Sequence, residues 1–236
     1  MRVVIVGGTS GIGLATAELL AGEGHEVVVT GRSAERVEAA LKRLGDRASG
    51  EALDARDVEA TRAFFAGLGA IDHVVVTVSG RGQAAGPLRT LTREKLTSAV
   101  QDKLIPQLLT AQAALGTLSP EGSLTFVSAA SARSSAPGVS GLAAVNGALE
   151  SVVPGLAVEL APIRVNAVSP GVIDTGWWTG PNEEGKAGVL ATAAQGSPTG
   201  RVGRPQDVAS AIAFVVGNSF VTGTVLTVDG GWRLKA

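Results

Sequence analysis

Short apolar runs alternate along this chain with longer stretches whose apolar residues recur every three or four positions. That alternation predicts strands and helices in turn. Val3–Val6 is a β-branched run that reads as a buried parallel strand. Ile12, Ala15, Leu19 and Leu20 then fall at helical spacing, and Gly22 and Gly24 end that helix. Glu26–Thr30 is a second strand. Ser33 is placed to cap a helix running to about Leu44, with Val37, Ala40, Leu41 and Leu44 on one face. Ala48–Leu53 reads as a third strand, Val58–Phe65 as a short helix and Ile71–Val78 as a fourth strand. A loop, Ser79–Gly86, leads into a long helical stretch, Leu91–Leu115, that Pro106 should bend. Ser123–Ser128 is strand five, Ala129–Gly141 a Ser/Ala/Gly-rich loop, Leu142–Leu160 a long helix containing Pro154, and Arg164–Ser169 strand six. Asp174–Thr199 is the least regular segment and reads as a lid or substrate segment with short helical pieces, such as Val189–Gln195. A helix from Pro205 through Val216 and a strand over Val221–Val228, broken at Thr222–Gly223, complete the chain.

This order predicts an α/β fold, a Rossmann-like, doubly wound and mostly parallel seven-stranded sheet in a three-layer α/β/α sandwich. No composition break, linker or repeat divides residues 1–236, so one domain is expected. Apolar residues make up 45% of the chain and its net charge is −1, as in a soluble globular protein. Basic residues are scattered and matched by acidic ones, which argues against a nucleic-acid surface. No run of eighteen apolar residues proposes a membrane span, and a cytoplasmic location is expected. The absence of cysteine excludes disulfides and thiolate metal sites, and no metal centre is expected. With no tyrosine, no phenolic acid can come from this chain. His25 reads as a turn residue and His73 as a strand-entry residue.

Glycines sharpen the picture at the end of the first strand. Gly7, Gly11 and Gly13 give a G-x-x-x-G-x-G spacing suited to a tight turn, close approach of a pyrophosphate, and close packing of the next helix. The loop from Gly7 through Thr9, Ser10, Gly11, Ile12 and Gly13 then presents a helix N-terminus to phosphates. In such a sheet the crevice lies outside the C-terminal strand ends. The candidate cofactor residues there also include Arg32 and Ser33 after strand two, Asp54 and Ala55 after strand three, and Ser79 and Gly80 after strand four. An acidic residue at the end of strand two would accept from the ribose hydroxyls of NAD. Arg32 instead suits the 2′-phosphate of NADP(H) through charged, bidentate hydrogen bonds, so NADP(H) is expected over NAD(H). Asp54 is placed to accept from the adenine amino group.

The glycine loop, the run Arg164-Val165-Asn166-Ala167-Val168-Ser169-Pro170-Gly171 with Thr175, the run Gly200–Pro205 with Asp207-Val208-Ala209, and the ending Thr222-Gly223 through Val228-Asp229-Gly230-Gly231 together resemble the short-chain dehydrogenase/reductase family over essentially the whole chain. The resemblance implies that Pro170 to Ile173 and Thr175 line the nicotinamide amide. It also implies that the long helices pair subunits into a homodimer or homotetramer.

Family members carry a catalytic Asn, Ser, Tyr and Lys. On this sequence the serine position falls on Ala129, next to Ser128, the tyrosine on Leu142, the lysine on Asn146 and the asparagine on Lys103. The usual proton transfer, worth about 10²–10⁴ in rate, therefore has no tyrosine to carry it. Asn and Lys stand exchanged between two helices, which makes Lys103, Ser128 and Asn146 the candidate catalytic residues. Ser131, Ser134 and Ser135 offer further hydroxyls. Trp177 and Trp178 are candidates to stack on a flat substrate or to close the site. The implied activity is an atypical NADP(H)-dependent oxidoreductase acting on a small carbonyl, alcohol or conjugated substrate. The alternatives are a non-catalytic NADP(H)-binding protein (a redox sensor, regulatory partner or structural subunit) and non-redox chemistry on the same scaffold.

Overall fold

A computed structural model describes residues 1–80, 84–178 and 183–235. Seven strands form one sheet: β1 (Arg2–Val6), β2 (Glu26–Gly31), β3 (Ala48–Ala52), β4 (Ile71–Val76), β5 (Leu118–Val127), β6 (Arg164–Pro170) and β7 (Val225–Val228). Their order is β3-β2-β1-β4-β5-β6-β7 and every neighbouring pair is parallel. The order reverses between β1 and β4, which places a crevice at their C-terminal ends.

The period of two along each strand sorts side chains between two cores. Val4, Val6, Val28, Val74, Val76 and Phe126 face one side, against Phe64, Phe65, Leu149 and Val153 from α3 (Val58–Leu68) and α6 (Ser140–Glu159). Val3, Ile5, Val27, Val29 and Val75 face the other, against Leu14 and Leu20 of α1 (Gly11–Gly22), Ala40 of α2 (Ala34–Leu44), and Val208 and Ile212 of α8 (Pro205–Gly217). Ser33 accepts from the Arg36 N–H, capping α2, and Asp57 caps α3 through the Ala60 N–H.

The structure departs from the sequence pattern in four places. The expected helix over Leu91–Leu115 is three pieces: α4 (Arg93–Ala99), a π-helical turn (Val100–Leu104) and α5 (Ile105–Ala114). The backbone stays helical through both junctions, and the wide turn ends two residues before Pro106. Pro106 sits in the first turn of α5, where its missing N–H is tolerated. Strand five begins earlier than expected, at Leu118, and a register shift opposite Ile71 and His73 absorbs Pro120 and Gly122. The segment expected to be irregular contains α7 (Glu183–Gly196); the four residues before it, 179–182, lie outside the described residues, as do residues 81–83 of the loop after β4. The last strand starts at Val225 rather than Val221, because the preceding stretch is held by side chains. Arg164 and Asn166 both donate to the Val221 carbonyl, and Asn166 Oδ1 accepts from the Thr224 N–H.

Helix α6 is long and apolar enough to cross a membrane by length and composition. Here it buries Leu149 and Val153 on the sheet and carries Pro154 on its exposed side.

Candidate functional site

The turn after β1 is shaped by contacts that only glycine permits. Gly7 has φ +92°, and a Cβ there would stand 2.5 Å from Thr77 Oγ1. A Cβ on Gly13 would stand 2.2 Å from the Gly7 carbonyl oxygen, so α1 packs directly on the turn. Thr77 fastens the loop to β4 by donating to the Val6 and Gly7 carbonyls, both at 3.1 Å. Ser10 precedes α1 but makes no capping bond, and no acidic side chain occupies the first turn. The first-turn amides of Gly11, Ile12 and Gly13 are thus left for an anion. Thr9 lies over Gly31, where a Cβ would meet Thr9 Oγ1 at 2.4 Å. Arg32 follows, exposed, with no hydrogen bond or ion pair among the described residues; its charge acts on Asp54 and lowers that carboxyl further.

Asp54 is not free. Arg56 Nη2 pairs with its Oδ2 at 2.6 Å and Arg56 Nε reaches both oxygens at 3.1 Å, which holds the carboxyl below its ordinary range. Arg56 also reaches Asp102 Oδ1 at 3.3 Å, in the π-helical turn. Ala55 is buried, Ser79 is exposed and Gly80 is half-buried at the end of β4.

On the other wall, Pro170 closes β6, Gly171 lies against Asp229, and Ile173 bridges to Gly203. The Thr175 side chain lies 3.4 Å from where a Gly11 Cβ would be, so this wall and the glycine turn meet. Trp177 and Trp178 pack edge to face with centroids 4.7 Å apart. Trp178 donates to the Ile173 carbonyl, and Trp177 donates to the carbonyl of Gly80.

The floor holds the positions at which the sequence resemblance expects the reacting groups. Ala129 and Leu142 are half-buried and bring no polar side-chain atom. Asn146, 3% exposed, donates to Ser131 Oγ at 3.2 Å and back to the Leu142 carbonyl at 2.9 Å, while its Oδ1 is buried without a partner. Lys103 enters from the π-helical turn. It is 8% exposed and its ammonium donates to the Ser128 carbonyl at 3.0 Å. Burial lowers its pKa to about 8, against the opposing pull of Glu150. Lys103 and Asn146 therefore meet the same segment after β5, one at Ser128 and the other at Ser131, but share no bond. The Ser128 hydroxyl is directed elsewhere, donating to Glu150 Oε1 at 2.8 Å. Ser134 accepts from the Ala136 N–H as a turn cap.

Three residues escaped the sequence reading. Gln107 is fully buried and its amide donates to the Val78 and Val127 carbonyls, tying the ends of β4 and β5 together. Arg56 occupies Asp54. Glu150 is a buried acid amid apolar helix positions. Spacing carried a signal for two of them: Leu142, Asn146 and Glu150 recur every four residues on α6, and Gln107 follows Lys103 by four.

The residues after β1, β2 and β6 fit a phosphorylated dinucleotide, and the orphaned Asn146 acceptor fits a hydroxyl donor such as a ribose. Comparison with known proteins places these features in a lineage. The family profile described as enoyl-(acyl carrier protein) reductase matches residues 6–233. A short-chain dehydrogenase/reductase, ATR9, of Stachybotrys chlorohalonatus is 34% identical, the alignment covering 99% of this chain and 97% of that one. Among solved structures, a small-chain dehydrogenase in complex with NADPH is 32% identical over 99% of both chains, with a TM-score of 0.85. The MalC reductase/Diels-Alderase of Malbranchea aurantiaca is 30% identical over 98% of this chain and 95% of its own, with a TM-score of 0.87. With a parallel sheet in this order, a glycine turn at its first strand and relatives matched end to end, this chain belongs to the short-chain dehydrogenase/reductase superfamily.

Proposed function

We propose that this protein is an NADP(H)-dependent oxidoreductase of a small carbonyl, alcohol or conjugated substrate, with Lys103 in place of the tyrosine as proton source. The observation that carries the reading is the buried Lys103 ammonium, held on the Ser128 carbonyl one residue from Ala129. A dinucleotide bound in this crevice supplies hydride. The rest is the work of the chain.

The first-turn amides of α1 take the pyrophosphate, with Gly7, Gly11 and Gly13 allowing the approach. Arg32 takes the 2′-phosphate, which also agrees with the NADPH in the 32% identical neighbour. Arg56 must release Asp54 if that carboxylate is to receive an adenine amino group; otherwise Ala55 and Arg56 form the adenine wall. Asn146 Oδ1 accepts from a ribose hydroxyl at the position where the family has lysine. Pro170, Gly171, Ile173 and Thr175 line the nicotinamide side. Ser131 keeps its own proton and orients a substrate oxygen, whereas Ser128 positions Lys103 through its carbonyl. A lysine titrating at about 8 gives up a proton to a developing alkoxide near neutrality and regains it readily. Trp177 and Trp178 cover the substrate.

Leu96, Ile105, Leu115 and Val158 lie exposed on the helices that pair subunits in this family, in line with a homodimer or homotetramer, which we place in the cytoplasm. The test is NADPH oxidation across a panel of carbonyls, enones and quinones, alongside NADPH binding by fluorescence. Lys103→Met is expected to bind NADPH within a few-fold of wild type and to lose about 10²–10⁴ in turnover. Tight NADPH binding with no oxidation of any panel member would favour a redox sensor instead.

A further inference from the structure

Glu150 is a buried carboxylate to which the reaction assigns no task. It stands two turns beyond Leu142 on α6, is 5% exposed, and accepts from three side chains. Ser128 Oγ donates to it at 2.8 Å, Ser169 Oγ at 2.7 Å, and Arg133 Nε at 3.0 Å. Ser128 thereby connects two charges. Its hydroxyl is spent on Glu150, and its carbonyl receives the Lys103 ammonium at 3.0 Å.

The charged groups on Glu150 come from two sides. Lys103 approaches from the π-helical turn, and Arg133 from the short 3-10 turn over Ala130–Arg133. The segment after β5 supplies the neutral Ser128, and β6 the neutral Ser169. Arg133 is 60% exposed at its side chain, and with Glu150 it lines a cavity of about 540 Å³ bounded by Ser151, Pro154 and Gly223–Val225. One carboxylate is thus bonded directly to an outer cation in contact with water and connected, through Ser128, to an inner cation cut off from it.

We propose that Glu150 is a positioning residue for Lys103: it fixes Ser128 so that the carbonyl faces the ammonium, and its charge, divided between Lys103 and Arg133, sets the proton affinity of the lysine. A buried ammonium is costly without a counter-charge, and a carboxylate bonded to the same serine offsets that cost. The opposing effects of burial and of Glu150 on Lys103 agree with this arrangement.

The proposal rests on Lys103 as proton source only for its consequence in catalysis; the electrostatic link is measurable without substrate. In protein carrying ¹³Cε-labelled lysine, the Lys103 resonance is assigned by its loss in Lys103→Met and followed against pH. Glu150→Gln is expected to lower the Lys103 midpoint by about one pH unit or more, since the charged form loses its partner. Arg133→Gln, a surface change, is expected to raise it by about half a unit, since Glu150 is then shared with no competitor. The two shifts have opposite signs, which loosened packing alone would not produce. An unmoved midpoint in Arg133→Gln overturns the proposal, as do shifts of the same sign in both variants; Arg133→Gln decides alone if Glu150→Gln does not fold. If both midpoints move as expected while Lys103→Met keeps full turnover, the catalytic reading fails and the Glu150 link stands.

Discussion

The indole N–H of Trp177 donates to the carbonyl of Gly80 at 2.7 Å, joining residues 97 positions apart across the mouth of the crevice. One comes from the segment after β6 and the other from the end of β4, so the bond closes over whatever lies between those strand ends. Trp177→Phe keeps the edge-to-face packing on Trp178 and removes the donor. A net hydrogen bond is worth about 1 kcal/mol, so NADPH should dissociate about five-fold faster in stopped-flow fluorescence. An unchanged rate would mean that this clasp does not close on the ligand.

Arg32 is the residue proposed to take the 2′-phosphate. Nothing among the described residues hydrogen-bonds its guanidinium, so its loss should leave the fold intact. Arg32→Ala should weaken NADPH by about 10–100-fold, the value of a charged hydrogen bond, and change NADH by less than two-fold. Calorimetric titration of both cofactors measures the difference; equal losses would remove Arg32 from the 2′-phosphate site.

As the proposed proton source, Lys103 would link activity and stability with definite signs. Proton donation needs the ammonium, so carbonyl reduction should fall as pH rises through about 8, while alcohol oxidation should rise over the same range. In the unfolded chain the group titrates near 10.5, so between about 8 and 10.5 the unfolded state holds more protons and folding gains stability with pH. Below pH 8 the buried charge costs about 3 kcal/mol on this shift. Lys103→Met should therefore be inactive yet more stable than wild type at pH 7, by urea unfolding. A variant less stable than wild type would show that the ammonium is well compensated.

His73 predicts acid sensitivity. It is 4% exposed, its Nδ1 lies 2.9 Å from Ser123 Oγ, and burial, with Arg164 second, lowers its pKa to about 4. The folded protein holds it neutral, whereas the unfolded chain takes a proton near 6.5. The stability it contributes is present above pH 6.5 and is lost as pH falls towards 4, about 3 kcal/mol in all. His73→Gln should flatten the decline in unfolding free energy between pH 6.5 and 4.5. A decline of equal slope in the variant would assign it to other groups.

Much of this architecture was legible in the residues. The strand–glycine–helix run from Val3 to Leu20 announced itself because alternation, φ-demanding glycines and helical spacing agree over twenty residues. The absence of any tyrosine was equally readable, since a missing functional group needs no geometry to detect. What was not legible depends on long-range partners. Asp54 is the exception: its partner, Arg56, is two residues away but has no periodic signature. Ser128 looked like a pocket hydroxyl because Glu150 lies 22 positions away on a helix that otherwise reads as core. The truncated last strand was hidden for the same reason: Val221 is claimed by side chains of β6.

Lys103 owes its inward direction to the wide turn that carries it. At Val100–Leu104 the Ile105 N–H reaches back five residues to the Val100 carbonyl, one residue more than an α-helix encloses. The wide turn takes up that added residue, so the backbone stays helical from α4 into α5. Removing Val100 or Gln101 would restore ordinary pitch and swing Lys103 round the helix axis relative to its flanks. The ammonium would then point to a different neighbour although every functional side chain remained in the sequence. In this protein the length of a helix, as much as the chemistry it displays, decides which group stands beside the crevice.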